Sequence, residues 1–300
     1  MKKIILFYIF TISFWSVNFK LNSQTQQATL LYKVSGNGLK QNSYLWGTYH
    51  LLSKRFLDLE KKKVNQALKK CKGVVVEMVM DSKSGMKLAP YLFAKDSALD
   101  VIFSKTEYDS IAQLLKTEAN LNLASFNKMK PFVVHATLLK NSKAESISDA
   151  AKYGNSAMDI DFVTYAKTNS LTVNALETIE EQATLLYSGS ILTQKKMLLA
   201  MLRDFETVKR MQDSLYFAYK KEDVTTIERL FNDPSIGNYE MDMEALLKNR
   251  NLNWMQKLPN LFTERSQFVA VGAGHLFGKD GLITLLTNAG YKVEPVLTKK

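Results

Sequence analysis

Phe268-Val269-Ala270-Val271-Gly272-Ala273-Gly274-His275 stands near the end of the chain, and Ser43-Tyr44-Leu45-Trp46-Gly47-Thr48-Tyr49-His50 stands near its beginning. Each is an apolar, strand-like run closed by a glycine, two residues and a histidine. The chain has only 3 histidines in 300 residues, so two at matching positions past matching runs call for a physical reason. If the two runs are neighbouring strands, their imidazoles emerge at one rim of one sheet. The ends of the chain then build the sheet together.

Periodicity outward from these runs agrees. Around the first, residues 29–80 read as strands at 30–34 and 43–46, a helix at 56–71 with Leu57, Val64 and Leu68 on one face, and a strand at 73–80. Around the second, residues 266–297 read as a strand at 267–271, a helix at 282–288 and a strand at 292–297. The middle, about 81–264, carries helical spacing at 108–115, 132–139, 192–211 and 241–247, with one strand at 171–176. The expected fold is α/β: a mixed β-sheet from the N- and C-terminal segments with a large helical middle region packed over it.

Residues 1–23 read as a leader outside that fold. Lys2 and Lys3 precede an apolar stretch at 4–19 that Thr11, Ser13, Ser16 and Asn18 interrupt, the pattern of a signal peptide and too short for a comfortable membrane span. The expectation is export to the periplasm or beyond, with an uncleaved N-terminal anchor as the alternative. Losing 1–23 removes three lysines and no acids, so the net charge falls from +11 to +8. The basic residues are scattered over helix-like segments without interleaved aromatics, which argues against nucleic-acid binding and leaves room for contact with an acidic cell envelope. A single cysteine, Cys71, forms no internal disulfide, so an exported chain of 46% hydrophobic composition depends on its core. Five prolines and no low-complexity run favour one compact domain over 24–300.

Ligands of open α/β sheets bind beyond the carboxyl ends of strands, where both histidines fall. Neutral imidazole is a common metal ligand, and two on rigid strand ends would be prearranged; satisfying a buried backbone group is the other reading. Gly272 and Gly274 before the second histidine allow sharp turning and close approach. Val74-Val75-Val76-Glu77-Met78-Val79-Met80 sets a carboxylate inside an apolar strand. Burying it ionised costs several kcal/mol unless a cation, a basic partner or solvent offsets it. There is no His-Glu-x-x-His, Cys-x-x-Cys, Walker loop or Gly-x-Ser-x-Gly.

The run 43–50, the strand with Glu77, Met158-Asp159, Ala175-Leu176-Glu177-Thr178 with Gln182, Arg250-Asn251 with Trp254, and Val271-Gly272-Ala273-Gly274-His275-Leu276 with Gly278, Gly281 and Gly290-Tyr291 together resemble the TraB/GumN family. That family includes the Tiki proteins, described as membrane-tethered metal-dependent proteases with two Gly-x-x-His motifs, and the fold is that of the erythromycin esterase/ChaN-like superfamily. The resemblance implies a metal-dependent hydrolase of the peptidase type. His50, His275 and Glu77 would carry over as ligands of manganese, cobalt or zinc, Glu77 or Glu177 as general base, and Arg250 as the group that steadies an oxyanion. Gly47, Asp159, Gly272, Gly274 and Asn251 would support the site or the peptide or small-molecule substrate. The alternative function is a non-catalytic peptide- or ligand-binding envelope protein, pheromone-inhibitor-like or haem-binding. Local readings compete at several of these positions: Ser156 to Asp159 fits a loose capping box, Thr178 to Glu181 a second, and His135 reads as a packed helix residue.

Overall fold

The structure is a computed structural model describing residues 29–95, 97–231 and 243–298. The leader expected over 1–23 lies outside the described residues, and among those described no helix is long and apolar enough to cross a membrane.

Leu31–Gly36 (β1), Ser43–Thr48 (β2), Gly73–Val76 (β3), Thr172–Ala175 (β4), Gln267–Gly272 (β5) and Tyr291–Pro295 (β6) form one mixed sheet in the order β4-β3-β5-β2-β1-β6. β4, β3, β5 and β2 run parallel, while β1 is antiparallel to both β2 and β6. The C-terminal strand β5 is thus inserted between two strands from the first quarter of the chain. All six residues of β2 are buried, as are the first five of β5; continuous apolar runs of this kind suit parallel strands covered on both faces.

The helical middle packs on this sheet. Phe162, from the helix Met158–Thr168, meets Phe268 of β5 at 5.1 Å between ring centroids, and both are fully buried. Burial of each such side chain stabilises by roughly 1.5–3 kcal/mol. Farther from the sheet a second apolar cluster, including Leu99, Ile111, Leu138, Leu198 and Met201, holds the middle helices to one another.

Two long helices expected from periodicity are broken. The one expected at 56–71 is two helices, Arg55–Glu60 and Lys62–Lys69, with Lys61 between them at φ −129°, ψ 51°. That break turns Lys61 inward, where its Nζ meets Glu222 at 2.6 Å. The one expected at 192–211 is Ile191–Arg203 and Phe205–Lys221, broken at Asp204. Of the helix expected at 241–247, residues 241 and 242 lie outside the described residues; Glu244–Asn249 is a π-helical turn continued by the helix Arg250–Met255. The strand expected at 73–80 ends at Val76, so Glu77 is not inside a strand but is the first residue past one.

Candidate functional site

Register gathers the site. Thr48 pairs with Gly272, and Val76 pairs with Ala270 on one side and Ala175 on the other. Four adjacent parallel strands therefore end at one rim, and each delivers a charged or polar side chain within three residues of its end: His50 after β2, His275 after β5, Glu77 after β3 and Glu177 after β4.

The end of β3 is fixed by a change of partner. The Gly272 amide donates 2.7 Å to Glu77 Oε1 rather than to a neighbouring carbonyl, while the backbone pairing of β3 with β4 runs one step further, Glu177 N–H to the Glu77 carbonyl at 2.8 Å. Glu77 is 5% exposed, and its Oε2 accepts from Arg250 Nη2 at 2.6 Å and Gln182 Nε2 at 3.2 Å. Burial opposes its ionisation; the rings of His275 and His50, Arg250 and the Gly272 amide outweigh that and hold the pKa down at about 2. His275 is itself pulled down to about 3, first by burial, with Arg250 and His50 adding and Glu77 resisting. At neutral pH its ring is uncharged, and Arg250 supplies a permanent positive charge beside Glu77.

Both imidazoles have their Nδ1 atoms spoken for. Asn251 donates through Nδ2 to the carbonyls of His275 and Asp280 (3.1 and 2.8 Å), which identifies its Oδ1 as the acceptor of the 2.8 Å bond from His275 Nδ1. The Nδ1–H tautomer follows, with a lone pair on Nε2. His50 Nδ1 meets Asp159 Oδ2 at 2.5 Å. Burial among its neighbours lowers the His50 pKa, Asp159 outweighs this with help from Glu77, and the net shift is upward to about 9. The ring keeps 58% of its side-chain surface open, and solvent there screens part of that attraction.

Asp159 does not close a capping box. The helix Met158–Thr168 has Ala157 at its N-cap with no side-chain bond; the Asp159 carboxylate turns to His50 instead, leaving Oδ1 buried without a partner among the described residues. Two residues on, Asp161 accepts from the Lys54 amide at 2.8 Å, tying the loop after β2 to the same helix. The second expected box, Thr178 with Glu181, does form.

Arg250 joins the two glutamates. Its Nε and Nη2 bind Glu177 at 2.6 and 3.1 Å, Nη2 also binds Glu77, and Nη1 lies 3.0 Å from His275 Nε2. Trp254 donates 2.7 Å to Glu177 Oε1 and packs against both Arg250 and His275, its ring 4.8 Å from the guanidinium carbon and, tilted by 40°, 4.3 Å from the imidazole centroid. Both oxygens of Glu177 are thus engaged, so it positions Arg250 and is not a free base.

The glycines act through space and not through unusual torsions, since neither Gly272 nor Gly274 has positive φ. A Cβ on Gly47 would lie 2.9 Å from Leu276 Cδ1 and 3.0 Å from Ala273 Cα, and one on Gly274 2.8 Å from Phe231 Cζ. At Gly272 the same point is 3.2 Å from Glu77 Oε1, 3.5 Å from His50 Nε2 and 3.6 Å from His275 Cδ2. The two rings therefore come within about 7 Å of each other, facing one small space at the sheet rim. His50 borders two cavities there: one of about 490 Å³, walled mainly by apolar side chains such as Leu139, Met201, Leu215 and Phe231, and one of about 270 Å³ bounded by Glu77, Asp159, Lys167 and Gln182.

The donor types suit a divalent cation: two Nε2 atoms oriented by Asp159 and Asn251, and a carboxylate oxygen, with Glu77 Oε1 3.8 Å from His275 Nε2. Among the described residues no group of three His, Cys, Asp or Glu is gathered as a ready-made ion site. Arg250 Nη1 faces the His275 lone pair at 3.0 Å.

Sequence reasoning missed Tyr219, whose hydroxyl donates 2.8 Å to the Gly47 carbonyl, and Asp161; neither stands in a motif. His135 is buried as expected of a helix residue, yet it lines the larger cavity. No curated protein and no solved structure matches the chain. The TraB/PrgY/gumN family model matches residues 30–295, which span all six strands and every side chain described at the rim, and the chain belongs to that family.

Proposed function

We propose that the chain is an exported hydrolase of peptide or ester bonds, dependent on a divalent cation such as manganese, cobalt or zinc, with its substrate's apolar part in the larger cavity. The observation that carries this reading is the ring of His50, His275 and Glu77 around Gly272, at the junction of an apolar and a polar cavity. These three side chains would hold the cation, which supplies a water acidic enough to attack near neutral pH.

The rest follows from the chain's own groups. Asp159 and Asn251 fix the tautomers and directions of the two rings. Arg250, held by two bonds to Glu177, keeps a permanent positive charge at the cavity wall, where it can steady an oxyanion developing on the substrate. The apolar wall excludes water and strengthens that attraction.

A second reading has one observation in its favour: Arg250 already occupies the His275 lone pair. In that case the centre works without a cation, and the Asp159–His50 pair is a general acid at neutral pH, the carboxylate orienting the imidazole and holding it in its protonated form. Elemental analysis of the purified protein, with cleavage of apolar peptides and esters followed with and without chelator, separates the two. Bound metal and chelator-sensitive cleavage, both lost in His275→Ala, support the cation; chelator-resistant cleavage lost in His50→Ala supports the pair. Binding without any cleavage overturns both in favour of a capture protein.

A further inference from the structure

The helices Pro131–Asn141 and Phe205–Lys221 share one wall of the larger cavity, and Gln212 Nε2 ties them by donating 3.0 Å to the Leu139 carbonyl. Two polar atoms in this otherwise apolar wall have no partner among the described residues: His135 Nδ1 and Gln212 Oε1. His135 is 7% exposed and lies nearly parallel to Phe132, at 5.4 Å and 18°. A third such atom, Thr48 Oγ1, lines the same cavity at the sheet end. Leaving polar atoms buried and unbonded is costly, and here the three side chains that carry them line one space sized for a small ligand.

Their chemistry restricts what they would meet. The Leu139 carbonyl claims the Gln212 amino group, so Oε1 is fixed as an acceptor and needs an N–H or O–H. Burial draws the His135 pKa down to about 4, so its ring is neutral at pH 7 and can donate from one nitrogen and accept at the other. Charge in the described lining is confined to the His50 and Arg250 end; a carboxylate at the helical wall would meet no cation and would face the Gln212 Oε1 acceptor. A neutral group carrying its own hydrogen, an amide or a hydroxyl, satisfies both atoms. Gln212 lies seven residues before Tyr219, whose hydroxyl touches Gly47, and seven residues of helix span about 10 Å.

We propose that His135 and Gln212 form an uncharged recognition point that hydrogen-bonds an amide or hydroxyl on the apolar part of the substrate, at the helical wall of the cavity and apart from the rim that bears His50 and His275. This rests on reading the rim as the reacting end, but it is measured by binding alone. The probe is displacement of the fluorescent dye N-phenyl-1-naphthylamine from the full protein by two matched pairs. These are 1-decanol against decyl methyl ether, and N-acetyl-trileucine amide against its dimethylamide; the second member of each lacks the terminal donor.

At least one donor-bearing member should displace the dye at about tenfold lower concentration than its partner. The pair that does so identifies a lipid-like alcohol or a peptide as the source. Gln212→Leu, which keeps dye binding and so reports its own folding, should flatten that preference, and His135→Phe should reduce it. Two flat pairs in the native protein, or a preference that survives Gln212→Leu intact, overturn the proposal. A protein that shows the preference yet cleaves nothing leaves the recognition point standing and removes the hydrolase; cleavage with flat preferences does the reverse.

Discussion

Gly272→Ala should separate stability from activity. Gly272 has φ −50°, ψ 137°, which alanine adopts without strain. Replacing glycine at a compatible position gains about 0.4–1 kcal/mol by restricting the unfolded chain. Against this, the new methyl sits 3.2 Å from Glu77 Oε1, a few tenths of an ångström too close, and Glu77 is tied to Arg250 and Gln182 and yields little. The two terms nearly cancel, so folding should change by no more than about 1 kcal/mol in either direction. The methyl also occupies the space that His50, Glu77 and His275 share, and displacement of reacting groups by about 1 Å can cost on the order of 100-fold in rate. Urea denaturation reads the first quantity and cleavage of an apolar peptide or ester the second. A variant that keeps activity within threefold of the parent refutes the claim that the reaction takes place around Gly272.

Four further outcomes follow. Asn251→Leu leaves His275 Nδ1 and the carbonyls of His275 and Asp280 without their partner, and should cost about 1–3 kcal/mol and 10–100-fold in metal affinity or activity, read by denaturation and elemental analysis. Glu177→Gln should lower turnover by 10–100-fold with dye binding unchanged, because it loosens Arg250 but leaves the apolar cavity intact. Gly47→Ala drives a methyl against Leu276 and the Ala273 backbone, and should destabilise by about 1–3 kcal/mol in a thermal melt. The pair of Lys61 and Glu222 sets an acid limit. Burial opposes ionisation of Glu222, but Lys61, Thr298 and Thr29 hold its pKa below the ordinary 4.5, so its contribution to stability is present above that value and is lost as pH falls through the lower folded value. Denaturation midpoints of Glu222→Gln should therefore be lower at pH 7, by about 3–5 kcal/mol in free energy, and should fall less steeply than the parent's below pH 4.5.

The sheet was legible because buried parallel strands announce themselves as continuous apolar runs, and the glycine-histidine endings of β2 and β5 marked where those runs stop. Pairing of the two ends followed from the repetition itself. The breaks at Lys61 and Asp204 were not legible, since neither residue is a glycine or proline; at Lys61 the side chain turns inward to Glu222, a carboxylate far along the chain. The extent of β3 was overestimated because residues 73–80 are apolar on both sides of Glu77, while the strand is ended by the Gly272 amide from across the sheet. The resemblance implies Arg250 as the group that steadies an oxyanion, but its simultaneous hold on Glu77, Glu177 and His275 joins groups far apart along the chain, which no local pattern encodes. Asp159 satisfied a capping pattern by spacing alone, and a tertiary partner won the carboxylate.

The insertion of β5 between β2 and β3 sets an order of events. Residues 43–76 cannot be joined laterally until residues 267–272 arrive between them, so a chain still being made has no continuous sheet and no assembled rim. Contacts this distant along the chain also slow folding. Any reactivity of the rim is consequently withheld until about nine-tenths of the polypeptide has emerged, and a fragment cut short before residue 267 lacks both β5 and His275.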